Sequence, residues 1–337
     1  MTKAHAIAWA FFIFNGFSMA TFAKMQAMKN LTDTLQHFLF EDKFNNAMPI
    51  RGNLVYLNDT YHQVLQHQTL PAVLKHALGE LMAASALLSA TLKMDGAMVL
   101  QIQSKGALKL LVVECNSDLN IRATAKWDET QTSQIAESHF IDLVRNGQFV
   151  ITLDPKEGEA YQGIVPIEGD TIAEMLQNYM LRSQQIDTSL WLTCDDTSAC
   201  GMLLQKLPDI GGTAALNKKT IEQDLDAWNR MNYLANTVTA DELQNLPAEI
   251  LLSRLFAEEN VRLFEPKPTQ FYCSCNQASV ASMLRMLGEE ELNSILAELG
   301  KIEVNCDFCN KHYLFDAVDT AALLATEASV HISTAKH

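Results

Sequence analysis

The feature that most constrains this chain is a group of four cysteines near its C-terminal end. Cys273 and Cys275 form a C-x-C pair, and Cys306 and Cys309 form a C-x-x-C pair about thirty residues later. A single C-x-x-C pair is also typical of thioredoxin-type redox sites, but two close pairs favour a metal. Zinc prefers four soft ligands in a tetrahedron, so we predict a zinc site at these four thiolates. His312 could replace one of them, although we interpret it as an ordinary hairpin residue.

The amino-acid composition is typical of an acidic globular protein. Of its 337 residues, 48% are hydrophobic and 19% are charged, which is enough apolar material for about two domains. The formal net charge of −15 repels phosphate backbones and anionic lipid surfaces, so we expect neither a nucleic-acid nor a membrane partner. Seven cysteines are an odd number in a long chain, which disfavours a disulfide scaffold. Reduced thiols indicate a cytoplasmic protein.

Residues 1–30 differ from the rest of the chain. The segment from Ala4 to Phe14 is nearly all apolar and follows Lys3, which is the outline of a secretory signal. It is too short to span a membrane, and export would place the four thiolates in an oxidising compartment. We therefore interpret residues 1–30 as an N-terminal extension, with Met25 or Met28 as the true start.

Residues 31–212 alternate between strand-like and helix-like segments, which predicts an α+β core domain. Helices are predicted where apolar residues recur every three or four positions, at Leu70–Lys93 and Thr171–Ser183. Strands are predicted at Asn53–Leu57, Ala97–Gln103, Ala107–Glu114, Asn120–Ala125, Phe149–Leu153, Tyr161–Pro166, Leu190–Thr193 and Gly201–Leu207. The Asp209–Gly212 segment is the predicted end of this domain.

Residues 213–270 are predicted to form a helical linker. Thr220–Asn236 is polar and helical, and Thr239 with Glu242 has the spacing of a capping box. The capping box predicts a second helix that continues through Phe256. Both helices have narrow apolar stripes, so they need another surface to persist, and we predict a metastable linker. An ordinary helical connector is the alternative.

Residues 271–322 are predicted to form a small zinc-binding module, followed by a tail at 323–337. Two helices, Ser279–Leu287 and Glu289–Leu299, separate the cysteine pairs, and Gly300 has the position of a C-cap. Lys301–Asn305 and His312–Phe315 are predicted strands, with Cys306 and Cys309 in the turn between them. A tight turn of this kind directs two sulfurs at one point.

Oxidation of such a site is chemically plausible. Structural zinc contributes on the order of 10–16 kcal/mol to the folding of a small module, so a module that loses it is expected to unfold. Thiolate sulfur is the form that attacks peroxide or hypochlorous acid, and a disulfide sulfur no longer supplies a thiolate ligand. The single residue Ser274 between the first two cysteines makes a tight loop, which favours a reversible disulfide.

Several segments together resemble the heat-shock protein 33 family of redox-regulated holdase chaperones, from about His37 to Ala322. The segments that carry the resemblance are Phe271–Cys275, Gly300–Asn310, Tyr313–Asp316, Glu157–Gly163, Glu168–Thr171, Gly201–Gln205, Leu246–Leu251 and Arg254–Phe256. Three features depart from the family pattern. Residues 1–30 have no counterpart, no glycine follows Arg122, and Asn276–Ala278 lacks the charges common after the first cysteine pair.

The resemblance implies a redox-controlled mechanism. The reduced protein binds one Zn²⁺ per chain through Cys273, Cys275, Cys306 and Cys309, and its linker is folded on the core. Under oxidative and unfolding stress, the disulfides Cys273–Cys275 and Cys306–Cys309 form, zinc is released and the linker unfolds. The oxidised protein, often a homodimer, then binds unfolded or partially unfolded clients without ATP. The resemblance also implies that the core domain, residues 31–212, binds these clients, and that clients pass to ATP-dependent chaperones when reducing conditions return.

Two other functions fit parts of the sequence. A thiol–disulfide oxidoreductase would use Cys306 and Cys309, but it requires a thioredoxin-like βαβ setting that a hairpin turn does not provide. A zinc-ribbon nucleic-acid-binding protein would fit the zinc module, but the acidic charge and the lack of a basic–aromatic stripe oppose it.

Other reactive side chains are interpreted as structural. Cys115, Cys194 and Cys200 occupy apolar or strand-like surroundings, which indicates buried, inert thiols. Glu157 and Glu159 lie in a predicted hairpin turn, where carboxylates are usually solvated. We therefore predict no catalytic residues, and a protein that is not an enzyme.

Overall fold

The computed structural model describes residues 33–207 and 218–330 of the chain. The predicted extension at 1–30 and the Asp209–Gly212 boundary lie outside these residues. The strands are β1 (Thr34–Glu41), β2 (Ala47–Leu57), β3 (Gly96–Gln103), β4 (Leu108–Asn116), β5 (Asn120–Trp127), β6 (Gln148–Pro155), β7 (Tyr161–Pro166), β8 (Thr188–Cys194), β9 (Ala199–Lys206), β10 (Asn260–Leu263), β11 (Lys267–Pro268), β12 (Gln270–Phe271), β13 (Ile302–Asn305) and β14 (His312–Phe315).

The helices connect and cover these strands. They are α1 (Asp59–Leu65), α2 (Ala72–Ser89), α3 (Thr132–Glu137), α4 (Phe140–Val144), α5 (Ile172–Ser183), α6 (Lys218–Ala235), α7 (Ala240–Asn245), α8 (Ala248–Leu255), α9 (Gln277–Arg285), α10 (Glu289–Leu299) and α11 (Ala317–Val330), with a 3₁₀ turn at Glu129–Gln131. Among the described helices, none has the length and apolar character needed to cross a membrane. The α+β fold class predicted from the sequence is confirmed.

Two six-stranded sheets build the core. The first has the order β10-β1-β2-β9-β8, with β11 also paired to β1, and all its pairs are antiparallel. The second has the order β12-β5-β4-β3-β6-β7 and is antiparallel except for the short β12–β5 pair. The predicted strands of the core are all present, and most extend further than their apolar runs.

Helix α2 packs between the two sheets and forms the centre of the main core. Thirteen of its residues are buried, and the apolar ones share one hydrophobic cluster with Leu57, Leu100, Leu111 and Leu203 of the sheets. A helix that is covered on both sides must be apolar around most of its circumference, as this sequence is. The predicted range, Leu70–Lys93, is longer than the helix because Pro71 is its N-cap and the chain leaves the helix at Ala90.

The outer face of the first sheet is covered by α6, α7 and α8. We call this the covered face; its residues are Phe38, Phe40, Ile50, Leu54, Tyr56, Cys200, Met202 and Leu204. The helices contribute Met231, Leu243, Leu251 and Phe256 to the same buried cluster. The Phe256 ring meets Phe40 edge to face, with centroids 4.9 Å apart. The linker is therefore folded on the core through apolar contacts.

Polar contacts fix the register of the linker on the sheet. The hydroxyl of Tyr56 donates to the carbonyl oxygen of Leu246 at 2.9 Å, and Trp191 Nε1 donates to Asn236 Oδ1 at 3.0 Å. The predicted single helix from Thr239 through Phe256 is wrong in one respect. It is interrupted at Leu246–Pro247, where Pro247 starts α8 as its N-cap and lacks the N–H that a continuous helix would use.

The second half of the linker range contains strands as well as helices. After α8, β10 and β11 pair with β1, and β12 pairs with β5. The segment therefore joins the edges of both core sheets before it reaches Cys273. It is held by backbone hydrogen bonds, with little side-chain burial along these three strands.

The capping box predicted at Thr239 is confirmed and provides a test of linker stability. Thr239 Oγ1 accepts from the Glu242 backbone N–H at 3.2 Å, and Glu242 Oε2 accepts from the Thr239 N–H at 3.0 Å. We expect Thr239→Ala to destabilise the linker by about 1 kcal/mol, which raises its opening about fivefold.

Amide hydrogen exchange of residues 240–256 in the reduced protein measures this opening. Ser253→Ala is the matched control, because Ser253 is exposed on α8 and bonds only the Ile250 carbonyl. Equal exchange rates in both variants would show that the capping box does not limit linker opening.

Candidate metal centre

The residues after β12 form a small module with its own apolar core. Helices α9 and α10 and the β13–β14 hairpin bury Val280, Ala281, Leu284, Leu292, Ile302, Tyr313 and Phe315. Helix α10 has the predicted bounds and three glutamates in its first turn, where the helix dipole favours negative charge. Gly300 ends it in the left-handed conformation with φ 72°, as its predicted C-cap role requires. This core is small, so the module needs an additional source of stability.

The module brings the sulfurs of Cys273, Cys275, Cys306 and Cys309 together. All four Sγ atoms lie within 4.8 Å of one another, with Cys273 and Cys306 separated by 3.6 Å and Cys275 and Cys309 by 3.4 Å. A tetrahedral zinc site with Zn–S bonds of about 2.3 Å has sulfur–sulfur edges of about 3.8 Å. The spacing therefore fits four sulfur ligands around one ion, and the group can hold a metal.

Local backbone structure explains why the sulfurs converge. Cys306 N donates to the Lys311 carbonyl at 3.0 Å, and Asn310 N donates to the Cys306 carbonyl at 2.8 Å. Asn310 has φ 54°, a left-handed conformation that asparagine tolerates, and it closes the turn. The first pair lies between β12 and the capping box of Asn276 with Ser279 that starts α9. Both pairs are thus positioned by short, hydrogen-bonded turns.

The environment of the four thiols is uneven. Burial raises the pKa of Cys275, but the Tyr313 hydroxyl, 3.1 Å from its sulfur, and the neighbouring cysteines lower that pKa to about 7. Burial raises the pKa of Cys273. His312 is exposed and lies 3.9 Å from Glu303, outside the sulfur group, as expected for a hairpin residue.

The module contacts the core near both cysteine pairs. Lys126 on β5 forms an ion pair with Asp307, and Asn310 Nδ2 donates to the carbonyl oxygen of His67 at 2.5 Å. Tyr272 N donates to the Ile121 carbonyl at 3.1 Å, which extends the β12–β5 pairing up to Cys273. Sequence reasoning did not identify these contacts, because the partners are far apart in the chain.

Other candidate residues lie apart from this centre. Cys115 and Cys200 are buried and Cys194 is half-buried, and burial raises the pKa of each thiol to about 12. They are therefore poor nucleophiles, as predicted. Glu157 and Glu159 are exposed in the β6–β7 turn. Within the described residues, no second group of histidine, cysteine or acidic side chains could hold a metal.

The fold and the centre define an α+β protein with a four-cysteine module attached to its core by a folded linker. Comparison with known proteins agrees with this description. The sequence model of the family described as "Hsp33 protein" matches residues 33–316. The 33 kDa chaperonin of Methylobacillus flagellatus is 54% identical over 309 residues, which cover 91% of this chain and 99% of that protein. The 33 kDa chaperonin of Chromobacterium violaceum is 44% identical over 310 residues, with 91% and 99% covered.

A solved structure shows the same fold. The crystal structure of the 33 kDa chaperonin (heat shock protein 33 homolog) from Thermotoga maritima has a TM-score of 0.69 and 20% identity, and the match covers 87% of this chain and 99% of that one. The chain belongs to the Hsp33 family. Family membership supports a chaperone function, and the four-cysteine group is consistent with redox regulation.

The departure noted after Arg122 has a limited structural effect. Ala123 occupies the place where the resemblance led us to expect glycine, and it is fully buried in β5 opposite Val113. The strand stays paired with β4 from Ile121 to Trp127, apart from one irregularity near Leu108 and Leu110 on β4. A methyl group at this position is therefore accommodated without loss of the strand.

Proposed function

We propose that this protein is a redox-regulated, ATP-independent holdase that binds unfolding proteins after its cysteines are oxidised. One observation carries the proposal. The four-cysteine centre begins two residues after β12, which is the last element of the linker. The helices of the same linker cover an apolar face of the core. A change at the cysteines can therefore reach the linker directly along the chain.

The ion proposed for the centre is Zn²⁺, one per reduced chain, bound by Cys273, Cys275, Cys306 and Cys309. Four soft sulfur ligands at tetrahedral spacing favour zinc over the hard cations magnesium and calcium, which prefer oxygen ligands. Bound zinc would supply the folding energy that the small apolar core of the module lacks. The cysteine thiolates are the groups that react with an oxidant.

We propose that oxidation produces the disulfides Cys273–Cys275 and Cys306–Cys309. With hydrogen peroxide, each cysteine pair loses two electrons and forms one S–S bond, while the O–O bond breaks and, with two protons, yields two water molecules. A disulfide is a poor metal ligand, so the module loses its metal and its stability. The linker then loses the anchor at its C-terminal end.

The covered face is the proposed client-binding surface. It presents aromatic and aliphatic side chains of β1, β2 and β9, all fully or nearly fully buried under the linker. Large exposed apolar surfaces bind partially unfolded proteins without sequence preference. We propose the organisation of residues 31–212 as core, 213–270 as metastable linker and 271–322 as redox-sensitive module.

The proposed setting of this activity follows from the chemistry. Free thiolates persist in a reducing compartment, so we propose a cytoplasmic protein. Its partners would be unfolding clients and, after reduction, ATP-dependent chaperones that accept those clients, and we propose a homodimer as the oxidised form. The chaperone family indicates a non-enzymatic role, and the net charge of −15 disfavours nucleic acid and membranes as partners.

Suppression of thermal aggregation of a model client tests the proposal. We expect the reduced, zinc-loaded protein to be weakly active and the peroxide- and heat-treated protein to be strongly active. A chromogenic chelator followed in the same samples should detect about one zinc per chain released as activity appears. Zinc release without any gain of activity would show that the centre is only structural.

A further inference from the structure

Arg122 connects the core sheet to both cysteine pairs. It lies on β5, one-fifth exposed, and its Nη2 is 2.6 Å from Glu114 Oε2 on the neighbouring strand. Its Nη1 is 4.0 Å from the sulfur of Cys273 in the first pair. Its guanidinium also lies over the ring of Phe308, 4.5 Å from the centroid, and Phe308 stands between Cys306 and Cys309. Of the contacts between core and module described above, this one alone reaches a sulfur.

Glu114 does not satisfy the whole guanidinium. The Nε atom of Arg122 is buried and has no hydrogen-bond partner. A guanidinium withdrawn from water is stabilised by nearby negative charge. Four thiolates around a divalent ion leave a net negative charge, so a reduced, metal-loaded centre supplies this stabilisation and two neutral disulfides do not.

We infer that Arg122 is a positioning residue that sets how readily the four-cysteine centre is oxidised. The inference rests on the proposed function. Arg122 stabilises the reduced centre because its charge faces Cys273 and its planar group packs on Phe308 of the second pair. A sulfur that binds a metal is already a thiolate, so donation toward it only draws electron density from the sulfur and slows its attack on peroxide. In the reaction itself, the electrons pass from the paired sulfurs to the O–O bond of peroxide, and Arg122 exchanges no atoms.

The remaining contacts between core and module supply a matched control. The Lys126–Asp307 ion pair joins the same strand to the same turn, but Lys126 is about half exposed and touches no sulfur. If general docking of the module determined its sensitivity, Lys126→Met and Arg122→Met would have similar effects. If the charge and stacking at the sulfurs determine it, Arg122→Met would have much the larger effect.

The rate of zinc release from the full-length, zinc-loaded protein at limiting peroxide tests the inference. We expect release from Arg122→Met to be about tenfold faster than from the wild type, because one charge-assisted contact at a mostly buried site is lost. Lys126→Met should remain within about twofold of the wild type, as expected for an exposed ion pair. A rate for Arg122→Met within twofold of the wild type, or equal to that of Lys126→Met, would overturn the inference.

Arg122→Lys keeps the inference testable if Arg122→Met fails to fold, as judged by circular dichroism. It retains the charge but loses the planar stacking on Phe308, so we expect release about threefold faster than from the wild type. A rate equal to the wild type would count against a role for the guanidinium. These experiments measure zinc release alone, whereas aggregation suppression by the wild type tests the proposed function. The inference about Arg122 and the proposed function can therefore be refuted independently of each other.

Discussion

Replacing Cys306 by serine is expected to abolish metal binding and to unfold the module while the core remains folded. A serine hydroxyl is a much weaker zinc ligand than a thiolate, and three remaining ligands do not close a structural site. The module buries only a few apolar side chains of its own, so it depends on metal binding worth on the order of 10–16 kcal/mol. Zinc content should fall from about one per chain to below about 0.1.

Metal analysis after dialysis, together with limited proteolysis, measures both effects. Cleavage should become rapid within residues 271–322 and in the linker that this module anchors, while the core strands β1–β9 resist. Cys194→Ala is the control, because Cys194 is a half-buried thiol outside the sulfur group. A Cys306→Ser protein that keeps one tightly bound zinc would refute the assignment of the four ligands.

Replacing Phe256 by alanine is expected to activate the reduced protein without any oxidant. Phe256 is 1% exposed and packs on Phe40, and it joins α8 to the covered face. Truncating a buried phenylalanine costs about 3–5 kcal/mol, which shifts linker opening roughly a hundredfold or more. Aggregation suppression by the reduced variant should therefore approach that of the oxidised wild type, while its zinc content stays unchanged.

Phe264→Ala is the matched control for this experiment. Phe264 belongs to the same linker but is 41% exposed, so its truncation removes the same atoms with a smaller loss of burial than at Phe256. Zinc analysis and circular dichroism confirm that each variant keeps its module and its core. If reduced Phe256→Ala has an opened linker by hydrogen exchange and yet does not suppress aggregation, the covered face is not the client-binding surface.

The sequence predicts those parts of the fold in which one side-chain pattern determines the local structure. Helix α10 has the predicted bounds because its acidic first turn, apolar stripe and Gly300 agree with one another. The turn with Cys306 and Cys309 is also predicted, because the spacing of the cysteines and of the flanking strands indicates the same hairpin. The four sulfurs meet as this pattern indicates, and their role as zinc ligands stays a prediction.

Other elements carry no such pattern. Strand β1 buries Leu35 in the main core but Phe38 and Phe40 in the covered face. Because both faces of the strand are apolar, its sequence lacks the alternation of polar and apolar residues by which a strand is predicted. Strands β10, β11 and β12 are short and largely exposed, and backbone pairing alone defines them. The contact of Arg122 with Cys273 joins residues 151 positions apart, which one sequence without relatives cannot reveal.

The three short linker strands have a consequence for the protein's own solubility. If the linker leaves as proposed, the unpaired backbone groups of β1 and β5 would become templates onto which another chain can add a strand. An opened chaperone would then be at risk of the open-ended aggregation that it prevents in others. Its net charge of −15 opposes this, because copies that approach edge to edge repel one another over about 8–10 Å. The acidic composition thus opposes self-association of the opened protein, in addition to disfavouring nucleic acid and membranes as partners.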